Sequence, residues 1–158
     1  MRMIDVGGKP TTLRTARASA LLRTAPETIR RIRAGTLEKG DAVAVARLAA
    51  VMAAKRTSDV VPLCHPLPLD AVEVVVVVPP ADPARHDATQ LSVEATVRAT
   101  ARTGVEMEAL VAATAAALTL YDLCKSIDRG MTIEWVRLEE KRGGRHGMWR
   151  RDEPSGTT

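Results

Sequence analysis

The sequence predicts an α+β fold in which helices cover one face of an antiparallel sheet, and three features carry that prediction. Residues 90–99 alternate apolar and polar, and residues 72–78 form a β-branched run, so both read as strands. Residues 103–125 place apolar side chains at three- and four-residue steps with Ala between them, as a buried helix does. The full order is strand, helices, strand, strand, helix, strand, which is the ferredoxin-like split βαβ arrangement. At 158 residues and 46% hydrophobic, the chain is sized for one domain with a substantial core. Residues 1–149 are assigned to that domain and 150–158 to a disordered tail.

Taken in order, Met1 to Pro10 reads as an irregular arm because of Gly7, Gly8 and Pro10. Thr11 to Leu22 fits either a strand or an Ala-rich helix and is assigned as strand. Arg14 and Arg17 then fall on opposite faces, so at most one points into a given site, and solvated surface is the plain reading of both. Thr24-Ala25-Pro26-Glu27 opens a short helix with Pro in its first turn and Glu near the positive end of the dipole, and Gly35 closes it. Asp41 caps a second helix from Ala42 to about Arg56, with Ala44, Val45, Leu48, Val51 and Met52 as its packing set.

Pro62, Pro66 and Pro68 then forbid regular pairing and stiffen the segment carrying Leu63-Cys64-His65. Val72 to Val78 and Gln90 to Ala99 form a hairpin joined by a long polar loop. The central helix runs from Thr103 to Lys125, opened by a capping box of Thr103 and Glu106 in which Gly104 does little harm. Its recurring positions are Met107, Leu110, Val111, Thr114, Leu118 and Tyr121. Met131 to Lys141 is the last strand, and Arg142 to Gly147 a flexible basic loop.

Composition narrows the function. No run is read as long enough to span a bilayer, and no apolar signal segment follows the charged N-terminus, so a cytoplasmic protein is expected. Cys64 and Cys124 have no paired spacing and fit reduced thiols. Three histidines without His-x-x-x-His or Cys-x-x-Cys patterns argue against a metal site. The net charge of +4 raises nucleic acid as a partner, yet Phe is absent and the only rings are Tyr121, Trp135 and Trp149, too few for a base-stacking platform. An anionic small molecule accounts for the basic excess equally well.

Three places offer chemistry. No ionisable group with a formal charge occurs between Glu108 and Asp122, after which Asp122 and Lys125 share a helix face one turn apart. A desolvated carboxylate and ammonium there are either an acid/base pair or a salt bridge tethering the helix end. His65, on a stiff backbone among apolar neighbours, is either a satisfied core residue or a group placed for proton transfer. Lys39, beside Gly40 at a helix N-terminus, is placed for an anion.

Six blocks in order give the chain a close resemblance to a known family over nearly its whole length. They are Lys39-Gly40-Asp41, Ala53-Ala54-Lys55-Arg56-Thr57, Pro62-Leu63-Cys64-His65-Pro66-Leu67, Thr103-Gly104-Val105-Glu106-Met107-Glu108-Ala109-Leu110, Tyr121-Asp122-Leu123-Cys124-Lys125 and Lys141-Arg142-Gly143-Gly144. The chain resembles the cyclic pyranopterin monophosphate synthases of molybdenum cofactor biosynthesis. The resemblance implies ferredoxin-like subunits assembled as a hexamer, a trimer of dimers, with active sites at subunit interfaces. It implies conversion of 3′,8-cyclo-7,8-dihydro-GTP, supplied by a radical S-adenosylmethionine enzyme, to cyclic pyranopterin monophosphate with release of pyrophosphate.

By the same resemblance Asp122 and Lys125 match catalytic positions, with His65 a further proton-transfer group. Leu63, Cys64, His65, Glu106, Met107 and Glu108 match substrate-binding positions, and Lys39, Lys55, Arg14 and Lys141 supporting cations. The Arg142–Gly147 loop and the long segment from Pro79 to Ala88 depart from the family pattern. The reaction needs proton transfers and no redox change, so no cofactor is expected, although a divalent cation can accompany the triphosphate. An RNA-binding module and a noncatalytic oligomeric scaffold on the same fold are the alternatives.

Overall fold

The computed structural model describes residues 1–80, 89–145 and 147–151. Along the chain come strand β1 (Thr12–Arg23), helices α1 (Pro26–Ala34), α2 (Ala42–Ala54) and α3 (Thr57–Val60), strands β2 (Ala71–Val77) and β3 (Gln90–Ala101), helix α4 (Glu106–Cys124), and strands β4 (Thr132–Arg142) and β5 (Trp149–Arg150). The sheet order is β2-β3-β1-β4-β5 with every pairing antiparallel. The α+β reading holds, and its first four strands take the expected split βαβ order.

Period-two alternation decides which face of the sheet meets the helices. Ala16, Ala18, Ala20 and Leu22 of β1 and Leu91, Val93, Ala95, Val97, Ala99 and Ala101 of β3 are buried beneath α4. The opposite face is polar, and Arg17 lies on it paired with Glu94 at 2.6 Å, a cross-strand ion pair rather than a freely solvated cation. β2 is an edge strand with only Val74 buried, so Val75 and Val77 remain exposed.

The fully buried stripes of the helices are mostly small residues, and of the large ones the sequence singles out Val51, Leu110 and Tyr121 pack at the core margin while others turn outward. In α2 the buried stripe is Ala42, Ala46, Ala50 and Ala54, and Val45, Leu48 and Met52 point outward. In α4 it is Ala109, Ala112, Ala113, Ala116 and Ala117 with Leu120, Leu123 and Cys124, and Met107 and Leu118 are exposed. Alanine lets the two helices and the sheet approach closely, and so wins the core face over bulkier neighbours. α4 has 19 residues, and its most apolar window has mean hydropathy 1.4, long and apolar enough for a membrane span by those measures alone. That corrects the reading that no run reaches such a length. Half of the window is buried against the sheet and α2, which makes α4 the core helix.

The caps test the local readings. Asp41 accepts from the amides of Val43 and Ala44 at 3.0 Å each, as an N-cap should, and Gly35 closes α1 with φ 66°. α2 stops at Ala54, short of Arg56, and the chain turns into α3. The capping box at the start of α4 does not form. Val105 is the N-cap residue without a side-chain bond, and the Glu106 carboxylate goes to Lys141 instead, at 2.9 Å. Gly104 makes room for that carboxylate: a Cβ on it would lie 1.7 Å from a Glu106 carboxylate oxygen, so a larger residue displaces the Glu106 side chain. Arg150, assigned to the tail by sequence, lies in β5, where its backbone stands opposite Glu140 of β4. Most of the Pro79–Ala88 segment, His146 in the basic loop and the 152–158 tail fall outside the described residues.

Candidate active site

Two groups of side chains form at opposite ends of α4. At its N-terminal end the proline-stiffened segment lies across the first turn, so that Leu63, Cys64 and His65 share a cavity of about 340 Å³ with Glu106, Met107 and Glu108. Glu108 is only 4% exposed. Burial pushes its carboxyl above the usual range, and the neighbouring charge of Glu106 adds to the effect. Burial and the Glu108 charge likewise raise the Cys64 thiol.

Cations close this end from the sheet. Lys141 holds Glu106, and Arg14 donates weakly to the Ala101 and Arg102 carbonyls at 3.4 and 3.5 Å. Gly144, at φ 74°, lies against the Arg14 guanidinium so closely that a Cβ would sit 1.9 Å from one of its nitrogens. On the far side of His65 the N-terminal arm completes a second hollow of about 270 Å³, with Arg2 and Lys9 in its wall. The sequence marks this arm as irregular and no more; two cations flanking a Gly-Gly pair are the signal that could have drawn attention to it.

At the C-terminal end Asp122 is gripped from two sides. Lys125, one turn on, lies 2.7 Å from one carboxylate oxygen, and Lys39, from the loop before α2, lies 2.8 Å from the other. Lys39 also donates to the Asp122 carbonyl at 3.2 Å, capping the helix end. The Lys125 and Lys39 ammonium groups hold the Asp122 carboxyl down at about 2, and Asp122 in turn raises Lys125. The pair is not desolvated as expected from sequence. In the single chain Asp122 is 52% and Lys125 55% exposed, and they line an open cavity of about 410 Å³ with Lys39, Tyr121, Ser126 and Arg129. Ser126 and Arg129 escape the sequence reading, although they follow Asp122 by four and seven residues.

Lys55 joins neither group: it is the exposed C-cap of α2, without an ion pair among the described residues. Nor does one chain bring the two groups together. Glu108 and Asp122 are fourteen residues apart, about 21 Å at helical rise.

The subunit is a ferredoxin-like α+β fold with a buried acid and a half-buried histidine at one end of its core helix and a lysine-clamped carboxylate at the other, groups of the kind small-molecule enzymes use. The chain belongs to the MoaC family, whose model matches residues 3–144. It is 53% identical over 152 residues to a cyclic pyranopterin monophosphate synthase of Thermomicrobium roseum, covering 96% of this chain and 88% of the relative. It is equally identical to cyclic pyranopterin monophosphate synthase 3 of Mycobacterium bovis, with 96% and 82% covered. Cyclic pyranopterin monophosphate synthase 1 of Mycobacterium tuberculosis H37Rv is 52% identical over 150 residues, with 95% and 84% covered.

Proposed function

We propose that this chain is a lyase of molybdenum cofactor biosynthesis that converts 3′,8-cyclo-7,8-dihydro-GTP to cyclic pyranopterin monophosphate, releasing pyrophosphate. The observation that carries this reading is the Lys39–Asp122–Lys125 cluster, which gathers the carboxylate and ammonium groups such a reaction needs at one cavity, in a chain of this family. Opening and rebuilding the base requires protons to move between ring nitrogens and sugar hydroxyls. Asp122 and Lys125, with His65, do that work. Leu63, Cys64, His65, Glu106, Met107 and Glu108 seat the base and sugar, and Arg14, Lys39, Lys55 and Lys141 offset the triphosphate charge. The rearrangement is redox-neutral and needs no redox cofactor; a divalent cation can travel with the triphosphate.

Because α4 holds the two groups about 21 Å apart, a small ligand meets both only if each site takes one end from each of two subunits related by a two-fold axis. Exposed Val45, Leu48 and Met52 on α2 and Val75 and Val77 on β2 support burial against further copies. A hexamer built as a trimer of dimers satisfies both. Closure by a second subunit also desolvates Asp122 and Lys125, which strengthens their interaction with substrate. A radical S-adenosylmethionine cyclase supplies the substrate, and the setting is cytoplasmic, in keeping with free Cys64 and Cys124.

The test is incubation with 3′,8-cyclo-7,8-dihydro-GTP while following pyrophosphate release. Stoichiometric pyrophosphate and cyclic pyranopterin monophosphate are expected. Absence of turnover by correctly folded protein overturns the reading.

A further inference from the structure

We infer that Arg129 is a binding residue for the pyrophosphate end of the substrate, a position that neither the family blocks nor the ion pairs of the cavity single out. The inference rests on the functional reading above. Lys39, Lys125 and Arg129 line the Asp122 cavity, and Asp122 is the only carboxylate among the residues lining it. Both of its oxygens are already taken, one by Lys39 and one by Lys125. The Arg129 side chain is exposed and has no hydrogen bond or ion pair among the described residues. An open hollow bearing an uncompensated guanidinium is an electrostatic invitation to an anion.

Exposed arginines are common, and what sets this one apart is its backbone. Residues 128–130 form a tethered turn. The Asp128 carboxylate accepts from the Ala25 amide at 2.6 Å and from the Gly130 amide at 2.9 Å, tying the turn to the chain between β1 and α1. The Tyr121 hydroxyl donates to the Arg129 carbonyl at 3.4 Å, tying it to the last turn of α4. Three bonds thus fix the base of a side chain whose own donors are unused. A guanidinium so presented offers planar, two-pronged donation to phosphate oxygens, which an ammonium cannot reproduce. Lys39 and Lys125 must divide their donors between Asp122 and the ligand, whereas Arg129 has all of its donors for the phosphates. We therefore assign it to the departing pyrophosphate, whose charge grows as the cyclic phosphate closes.

The test uses the full-length protein with inorganic pyrophosphate as probe, by calorimetry, alongside steady-state kinetics and product inhibition. Arg129→Gln should weaken pyrophosphate binding by about tenfold or more, the scale of a lost charge-assisted pair, and Arg129→Lys should recover part of that loss. In kinetics, Arg129→Gln should raise KM and the pyrophosphate inhibition constant together. Arg30→Gln, a surface change at the Glu27 ion pair on α1, should alter neither. Unchanged pyrophosphate affinity in folded Arg129→Gln, with the parent binding and turning over normally, overturns the inference and leaves the enzyme reading intact. A parent that neither binds pyrophosphate nor turns over overturns both.

Discussion

Asp122 and Glu108 are both carboxylic acids on α4, and their surroundings drive them in opposite directions. Lys125 and Lys39 hold Asp122 at about 2, so in the resting chain it is ionised throughout the neutral range. Lys39→Ala removes one of the two cations, and the Asp122 titration followed by carboxyl NMR should move up toward the ordinary carboxylate value near 3.8. No movement would mean that Lys125 alone sets it. Glu108 is raised by burial, and the sign of its pH effect follows. A carboxyl whose folded pKa lies above its unfolded value favours the folded state while protonated, and that stability is lost as pH rises from about 4.5 through the folded pKa. Glu108→Gln should therefore flatten the stability profile above pH 4.5 and leave the neutral-pH protein at least as stable as the parent, as thermal unfolding across pH would show. Greater loss of stability at pH 7 than at pH 4 would reverse that assignment. Sequence exposes the two charged ends of α4 but not these directions, because Lys39 reaches Asp122 from 83 residues away.

At the scale of the element, the legible part is what depends on near neighbours. Gly35, Asp41 and the β3 alternation all behave as their local chemistry dictates. Where local chemistry fails to decide, tertiary packing does. By size the large apolar residues of α2 mark the core face, but the neighbouring Ala stripe allows closer helix packing, and Val45, Leu48 and Met52 are left outside. The Thr103 capping box fails for a related reason: a tertiary partner, Lys141, outcompetes the local amide for the Glu106 carboxylate. Two substitutions test this. Ala50→Leu on α2, at a position with no exposure, should destabilise the fold by about 1–3 kcal/mol through overpacking, as measured by denaturant unfolding. Gly104→Ala should displace the Glu106 carboxylate and break its bond to Lys141. The expected result is weaker substrate binding with a largely preserved unfolding midpoint; unchanged KM would show that the bond is dispensable.

For the whole molecule, the helix that organises the fold also separates its chemistry. α4 packs against β1, β3, β4 and α2 along its length, and the stiff Leu63–His65 segment and the Lys39 loop are brought to its two ends. That arrangement cannot be read from a motif list, which sets Glu108 and Asp122 side by side as substrate contacts without their separation. The rise of an unbroken helix sets them about 21 Å apart, and the proposed sharing of each site between two subunits rests on that separation. The most direct measurement is subunit mixing: Asp122→Asn and Glu108→Ala proteins, each expected to be inactive alone, are combined under conditions where subunit exchange is verified, and pyrophosphate release is followed. Shared sites predict partial recovery of activity, since some sites then receive one intact end from each parent. No recovery after full exchange would contradict the shared site, as would a ligand complex in which Glu108, Lys39, Asp122 and Lys125 all come from one chain.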